Sequence, residues 1–242
     1  MTKTTFLFTG LLAMTFSNTA SADAPNGVQR PQTLDRQVRV RMDYLLYLPR
    51  DYDQRDQWPL LLFLHGVGER APDINKVKMH GPPKLIAAGK QFPLIVVSPQ
   101  CPADQWWRPA ELVALLDEVV DKCKVDEDRV YVTGLSMGGF GTWALAAYSP
   151  DRFAAIAPVC GGGEPLLTAW FHFPPAWVFH GAKDSVVPIA RARAMVEALQ
   201  KAGSEVKLTV YPDAGHDSWT ETYKNPDLYA WLLQHTRRSA KR

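Results

Sequence analysis

Gly134-Leu135-Ser136-Met137-Gly138, with Gly139 after it, lies between the short apolar run Val130-Tyr131-Val132 and a helix-compatible stretch over residues 137–148. G-x-S-x-G on a strand-to-helix turn is the form of a nucleophile elbow, where a sharp bend exposes the serine at the top of a sheet. Side chains around such a bend must be small, and the flanking glycines meet that need. A helix starting beneath Ser136 also favours negative charge developing there. An ordinary glycine-rich turn is the plainer reading, but it does not account for the strand before and the helix after.

On both sides of this turn, apolar runs alternate with amphipathic stretches. Leu60-Leu61-Leu62-Phe63-Leu64 stops at His65-Gly66, and Leu94-Ile95-Val96-Val97 stops at Ser98-Pro99. Ala154-Ala155-Ile156-Ala157 ends at Pro158, Ala176-Trp177-Val178-Phe179 ends at His180-Gly181, and residues 206–211 form a last run. Strands apolar on both faces belong in a parallel sheet covered by helices on each side. Helices are expected over residues 109–124, 137–148 and 189–202, the last ended by Gly203, and over 219–235 with a break at Asn225-Pro226. Residues 28–48, with alternating Val38, Val40, Met42 and Tyr44, read as half-buried antiparallel strands at one edge. The expectation is a doubly wound, mostly parallel α/β sheet forming a single domain over residues 23–242. About fifteen residues separate Cys160 from the strand at Ala176, too few for a large lid.

A serine hydroxyl is a weak nucleophile unless a base takes its proton and an acid orients that base. With an elbow of this kind the chain order is Ser, then Asp or Glu, then His. Asp184 follows the Val178-Phe179 strand and His216 follows the last strand. Both fall just past carboxyl strand ends, where open α/β sheets place their sites. Asp213 and Asp217 compete as acids but read as solvated loop charges. Among the remaining histidines, His65, His80, His172, His180 and His235, the two at strand ends before glycine, His65 and His180, read as structural supports. An attacked carbonyl needs N–H donors for its oxyanion. The amides of Met137, directly after the nucleophile, and Val67, in the loop after Leu64, are the candidates.

Charge and composition narrow the remaining possibilities. Lys+Arg number 27 against 25 Asp+Glu, so a broad electrostatic attraction to nucleic acid is not expected. At 46% hydrophobic and 21% charged, the chain can bury a core and is not a disordered type. Lys3, the apolar run from Phe6 to Phe16 and the exit Ala20-Ser21-Ala22 together read as a secretory signal peptide over residues 1–22. The mature chain is then expected to be secreted or periplasmic, with no membrane span. Three cysteines lack any metal-type spacing, and no metal or cofactor is expected. Cys101 and Cys160 both follow carboxyl strand ends, which makes them the likelier pair for a disulfide in an exported protein; three free thiols are the alternative. One ring of Trp106-Trp107, assigned to Trp107, is expected to line a substrate pocket. Glu69-Arg70 either braces the loop after Leu64 by an ion pair or is surface charge.

The elbow, Asp184, His216 and His65-Gly66 together resemble the α/β-hydrolase superfamily from about residue 40 onward. The finer pattern resembles secreted esterases related to the prolyl-oligopeptidase and feruloyl-esterase groups. It includes Tyr44-Leu45-Leu46-Tyr47-Leu48-Pro49, His65-Gly66-Val67-Gly68-Glu69-Arg70, His80-Gly81-Pro82-Pro83-Lys84, Pro99-Gln100-Cys101-Pro102 and Cys160-Gly161-Gly162-Gly163. The resemblance implies a serine carboxylesterase with Ser136, Asp184 and His216 as the triad and Val67 and Met137 at the oxyanion. Its substrate would be a small-molecule or polysaccharide-linked ester. Dienelactone hydrolases share the fold but use a cysteine nucleophile, and position 136 here is serine. A small serine peptidase with the same machinery is the runner-up, and a binding protein on a hydrolase scaffold the third reading.

Overall fold

Seven consecutive apolar residues, Trp58–Leu64, form strand β2, and every one is buried, as a strand covered on both faces requires. The computed structural model of the protein describes residue 29 and residues 31–237, so the segment read as a signal peptide lies outside the described residues. The other strands are β1 (Tyr44–Tyr47), β3 (Ile95–Pro99), β4 (Val125–Leu135), β5 (Ala155–Val159), β6 (Ala176–Gly181) and β7 (Val206–Tyr211). They form one sheet in the order β1-β3-β2-β4-β5-β6-β7. β1 pairs antiparallel with β3, and every other pair is parallel. After β2 the chain adds β3 on one side, then crosses to add β4 on the other. The carboxyl ends of β2 and β4 therefore flank the switch point, where sheets of this class open a crevice.

The helices are α1 (Gly81–Ala87), α2 (Pro109–Lys122), α3 (Met137–Tyr148), α4 (Ala190–Lys201), α5 (Trp219–Lys224) and α6 (Pro226–Gln234). Strand residues alternate between the faces, so each strand feeds two cores. Leu60, Leu62, Leu64, Val132, Ile156 and Val178 share one cluster with Leu116 of α2, Trp143 of α3 and Met195 of α4. Leu61, Phe63, Tyr131 and Phe179 share the other with Tyr223 of α5 and Leu228 and Leu232 of α6. α3 begins directly after Leu135-Ser136, which fixes the elbow between a buried strand and a buried helix.

Two details differ from the sequence reading, and the break expected at Asn225-Pro226 is found. The antiparallel edge expected over residues 28–48 contracts to β1, because residues 31–43 carry neither helix nor strand and Val38 is exposed. Alternation alone does not bury a strand that has no neighbour to pair with. α1 carries Pro82 and Pro83 in its first turn, a position that tolerates the missing N–H, yet this short helix was not anticipated. The terminal helix splits at Asn225, whose side chain accepts a hydrogen bond from the Asp227 amide at 2.9 Å and so caps α6. The chain divides into two units, Met1–Arg39 and Val40–Arg242, and every helix and strand among the described residues belongs to the second.

Candidate active site

Ser136 has a φ of +52°, and Cys160 after β5 has +41°; among the described residues these are the non-glycine positions with positive φ. Such conformations are strained for residues with a Cβ and persist where the surroundings hold them. The two positions hold each other. The Ser136 amide donates to the Val159 carbonyl at 3.0 Å and lies 3.2 Å from the Cys160 sulfur. Glycine is required at two neighbouring points, since a Cβ at Gly138 would strike the Leu64 carbonyl and one at Gly134 would strike the Gly138 carbonyl. This close approach sets the serine above the ends of β2 and β4.

Ser136, His216 and Asp184, expected from three separate loops, meet in one row. His216 Nε2 is 2.8 Å from Ser136 Oγ, and His216 Nδ1 is 2.8 Å from Asp184 Oδ2. Asp184 Oδ1 accepts the amides of Val186 and Val187, each at 2.9 Å. Burial pushes the Asp184 carboxyl up, but the hydrogen bonds from His216, Val187 and Val186 outweigh it and hold its pKa below the ordinary carboxylate value. An ionised Asp184 accepts from Nδ1–H, which leaves the Nε2 lone pair free to accept from the serine hydroxyl. The rival acids stand elsewhere: Asp213 is exposed and pairs with Lys183 at 2.7 Å, and Asp217 is exposed.

The loop after β2 lies against Ser136, since a Cβ placed on Gly66 would be 3.6 Å from Ser136 Cβ. Val67 opens the short turn Val67–Glu69, and Met137 is the first residue of α3. Neither position has an acceptor within its own turn or helix, so both amides are free to serve an oxyanion. Glu69 and Arg70 do not pair with each other. Arg70 instead donates to the Val67 carbonyl at 3.3 Å and the Gln105 carbonyl at 3.0 Å, tying this turn to the loop after β3.

His65 and His180 occupy supporting positions. The Cys101 amide donates to His65 Nε2 at 3.0 Å, so the ring proton sits on Nδ1, which donates to the Gly66 carbonyl at 2.7 Å. Burial, opposed by that hydrogen bond and aided by nearby Arg70, pushes the His65 pKa from 6.5 down to about 4. Between those values the unfolded chain binds a proton that the folded chain refuses, so stability is full above pH 6.5 and falls toward pH 4. The expected loss is about 3 kcal/mol, at 1.36 kcal/mol per pKa unit. Urea unfolding at a series of pH values checks it; a flat unfolding free energy across that window would refute the neutral assignment. His180 is buried, with Nε2 2.8 Å from the Val187 carbonyl and 3.2 Å from Asp184 Oδ2.

Two expectations require correction. Trp107 is only 6% exposed: its indole donates to the His65 carbonyl at 3.1 Å and its ring packs on Gly141, so it is committed to the scaffold. The exposed indole is Trp106, 57% accessible, which meets Phe140 of α3 edge-on at 6.2 Å. The Cys101–Cys160 bridge is not formed, and all three cysteines are free. Their strands, β3 and β5, are separated by β2 and β4, and Cys160 turns under Ser136 rather than toward Cys101. Burial pushes the Cys101 thiol up to about 11 and raises the Cys160 thiol further, so both stay protonated. Among the described residues no cluster of His, Cys, Asp or Glu could hold a metal ion, and no helix is long and apolar enough to cross a membrane.

Comparison with known proteins adds four relationships. The family model described as "Dienelactone hydrolase family" matches residues 106–230, which include Ser136, Asp184 and His216. "Probable feruloyl esterase C" of Aspergillus niger is 24% identical over 231 residues, covering 92% of this chain and 85% of that protein. "Poly(3-hydroxyalkanoate) depolymerase C" of Paucimonas lemoignei is 34% identical over 128 residues, 46% of this chain and 30% of that one. Among solved structures, a thermostable esterase superposes with a TM-score of 0.71 at 31% identity; 81% of this chain is covered, and this chain spans 59% of that protein.

Proposed function

Since the chain belongs to the dienelactone hydrolase family of the α/β-hydrolase superfamily, and is a hydrolase of the esterase type, we propose that it is a serine carboxylesterase working through an acyl-enzyme. The observation that carries this reading is the unbroken row from Ser136 Oγ through the His216 ring to Asp184 Oδ2, with both steps at 2.8 Å. Ser136 attacks the ester carbonyl while His216 Nε2 takes the hydroxyl proton and later gives it to the leaving alcohol. Asp184 holds the Nδ1–H tautomer and stabilises the imidazolium. The Val67 and Met137 amides receive the oxyanion. Water then attacks the acyl-serine, with His216 again taking the proton, and the free acid leaves.

The substrate class is a small-molecule or polysaccharide-linked ester. Support comes from the near full-length likeness to a probable feruloyl esterase and from an uncovered site, since a single short turn, Pro165–Ala169, lies between β5 and β6. Trp106, exposed beside Phe140, replaces Trp107 as the ring offered to the substrate. The location proposed is secreted or periplasmic, with residues 1–22 removed as a signal peptide and residues 23–242 forming the catalytic domain.

A panel of nitrophenyl esters of increasing acyl length, with feruloyl and acetylated-sugar esters and a matched amide, tests the reading. Esters are expected to turn over far faster than the amide, and a serine-directed phosphonate is expected to label Ser136 alone. Equal rates on amide and ester would move the assignment to a peptidase, and labelling elsewhere would remove Ser136 from it.

A further inference from the structure

A second polar assembly, built on Glu69, reaches the row of Ser136, His216 and Asp184 through a ring contact with His216. Glu69 closes the turn that carries the Val67 amide, and the residue is 5% exposed. A buried carboxyl needs partners, yet Glu69 Oε2 has no hydrogen bond. The groups that face the carboxyl are two histidines: His65 Nδ1 at 4.0 Å from Oε2 and His80 Nε2 at 3.5 Å from Oε1. His65 has little to offer, because its one ring proton goes to the Gly66 carbonyl. That leaves His80 as the nearer partner, within ion-pair distance of the carboxyl rather than hydrogen-bonded to it.

His80 also reaches the other half of the site. Its ring lies 5.3 Å from the ring of Trp219, and Trp219 meets His216 edge-on, also at 5.3 Å and 87°. Three separate segments therefore form one row: the turn after β2, the residue before α1, and the first residue of α5. The row runs from the oxyanion turn to the imidazole that serves as base.

From this row we infer that His80 is a positioning residue, which holds the Glu69 carboxyl and with it the Val67 amide, and keeps Trp219 against His216. It meets Glu69 and Trp219, and it has no hydrogen bond or ion pair with Ser136, His216 or Asp184. The effect is on geometry: an oxyanion donor must meet the oxygen at about 2.7–3.1 Å, and small misplacements of positioned groups are costly in rate. The inference rests on the serine-esterase reading, so Ser136→Ala is measured alongside.

Rates of the His80 and Glu69 variants are read per site titrated with the phosphonate, so that misfolded protein does not count, and that of Ser136→Ala per mole of folded protein. His80→Ala is expected to lower kcat about 10-fold with KM changed less than about twofold, because ester and oxyanion are held differently. A boronic acid, whose tetrahedral serine adduct places an oxygen at the oxyanion amides, is expected to lose affinity in the same proportion as kcat. His80→Gln, which restores an N–H toward Glu69, should recover most of both. Combining His80→Ala with Glu69→Gln should cost no more than the worse single change. His80→Phe covers the case of a poorly folding alanine variant: it keeps a ring against Trp219, removes the donor, and is expected to lose rate as well. Parental kcat per site in His80→Ala or His80→Phe overturns the inference, as does a fall in kcat with unchanged boronate affinity. If Ser136→Ala still hydrolyses esters, the fault lies in the esterase reading; if it is inactive while the His80 variants keep the parental rate, only the positioning role fails.

Discussion

Ser136→Ala is expected to lower kcat by about 10⁴- to 10⁶-fold while leaving the fold and substrate binding in place. Residues of a nucleophile–base–acid set act as a unit, so loss of the attacking oxygen removes the covalent route altogether, and the residue of activity comes from oxyanion donors and binding. The substitution removes one oxygen from a side chain that is only partly buried, and leaves the positive φ of this position unchanged. The elbow is held by its backbone, through the Ser136 amide on Val159 and the close approach of Gly138 to Leu64, so alanine keeps its shape. Thermal unfolding should therefore move little. Adding His216→Ala to Ser136→Ala should cost almost nothing more, because an orphaned base has no proton to take. Retention of a hundredth of the parental kcat, or a further large loss in the double variant, would mean that another group carries the chemistry.

Strands β2, β3, β5 and β6 were legible because each is a short apolar run stopped by Gly, Pro or His-Gly, whereas β4 carries the polar residues 126–129 in its first half and β7 is only partly buried. The meeting of three distant residues was legible for a related reason. Parallel topology puts every carboxyl strand end on one edge, so residues far apart in sequence but each just past a strand, Ser136, Asp184 and His216, arrive together. What escaped the sequence depends on contacts with no local period. Trp106 and Trp107 are neighbours of one type, and only the packing of Trp107 between Gly141 and the His65 carbonyl separates scaffold from surface. Cys101 and Cys160 share an edge, but sheet order places two strands between theirs. The row of Glu69, His80 and Trp219 joins segments with no common period; Glu69 and His80 stood in two of the stretches that carry the resemblance, but Glu69 read equally well as surface charge and nothing tied either to Trp219. Residues 31–43 show the converse, an alternation of Val38, Val40 and Met42 with no neighbouring strand to bury it.

Asp184→Asn is expected to reduce kcat by about 10⁴-fold with little change in fold, and the reason is the proton inventory of three atoms. Asp184 Oδ1 accepts two amides, from Val186 and Val187, while Oδ2 accepts His216 Nδ1–H. An asparagine has one acceptor oxygen and one donor nitrogen. If the oxygen stays on the two amides, the NH₂ group faces His216 Nδ1 and the proton moves to Nε2. The imidazole then points an N–H at Ser136 Oγ and cannot take its proton. If the side chain flips, the NH₂ group opposes two amide donors, and two part-buried N–H groups lose their acceptor, at no more than about 1–3 kcal/mol each. The first arrangement costs less, so the variant should fold and be inactive. A downfield Nδ1 proton of His216 is expected by NMR in the parent and should be absent from the variant, which separates a wrong tautomer from general damage. Asp213→Asn serves as the control, since Asp213 is exposed and bound only to Lys183; it should keep the parental rate. An Asp184→Asn variant within tenfold of the parent, with Asp213→Asn inactive, would transfer the role of the acid to Asp213.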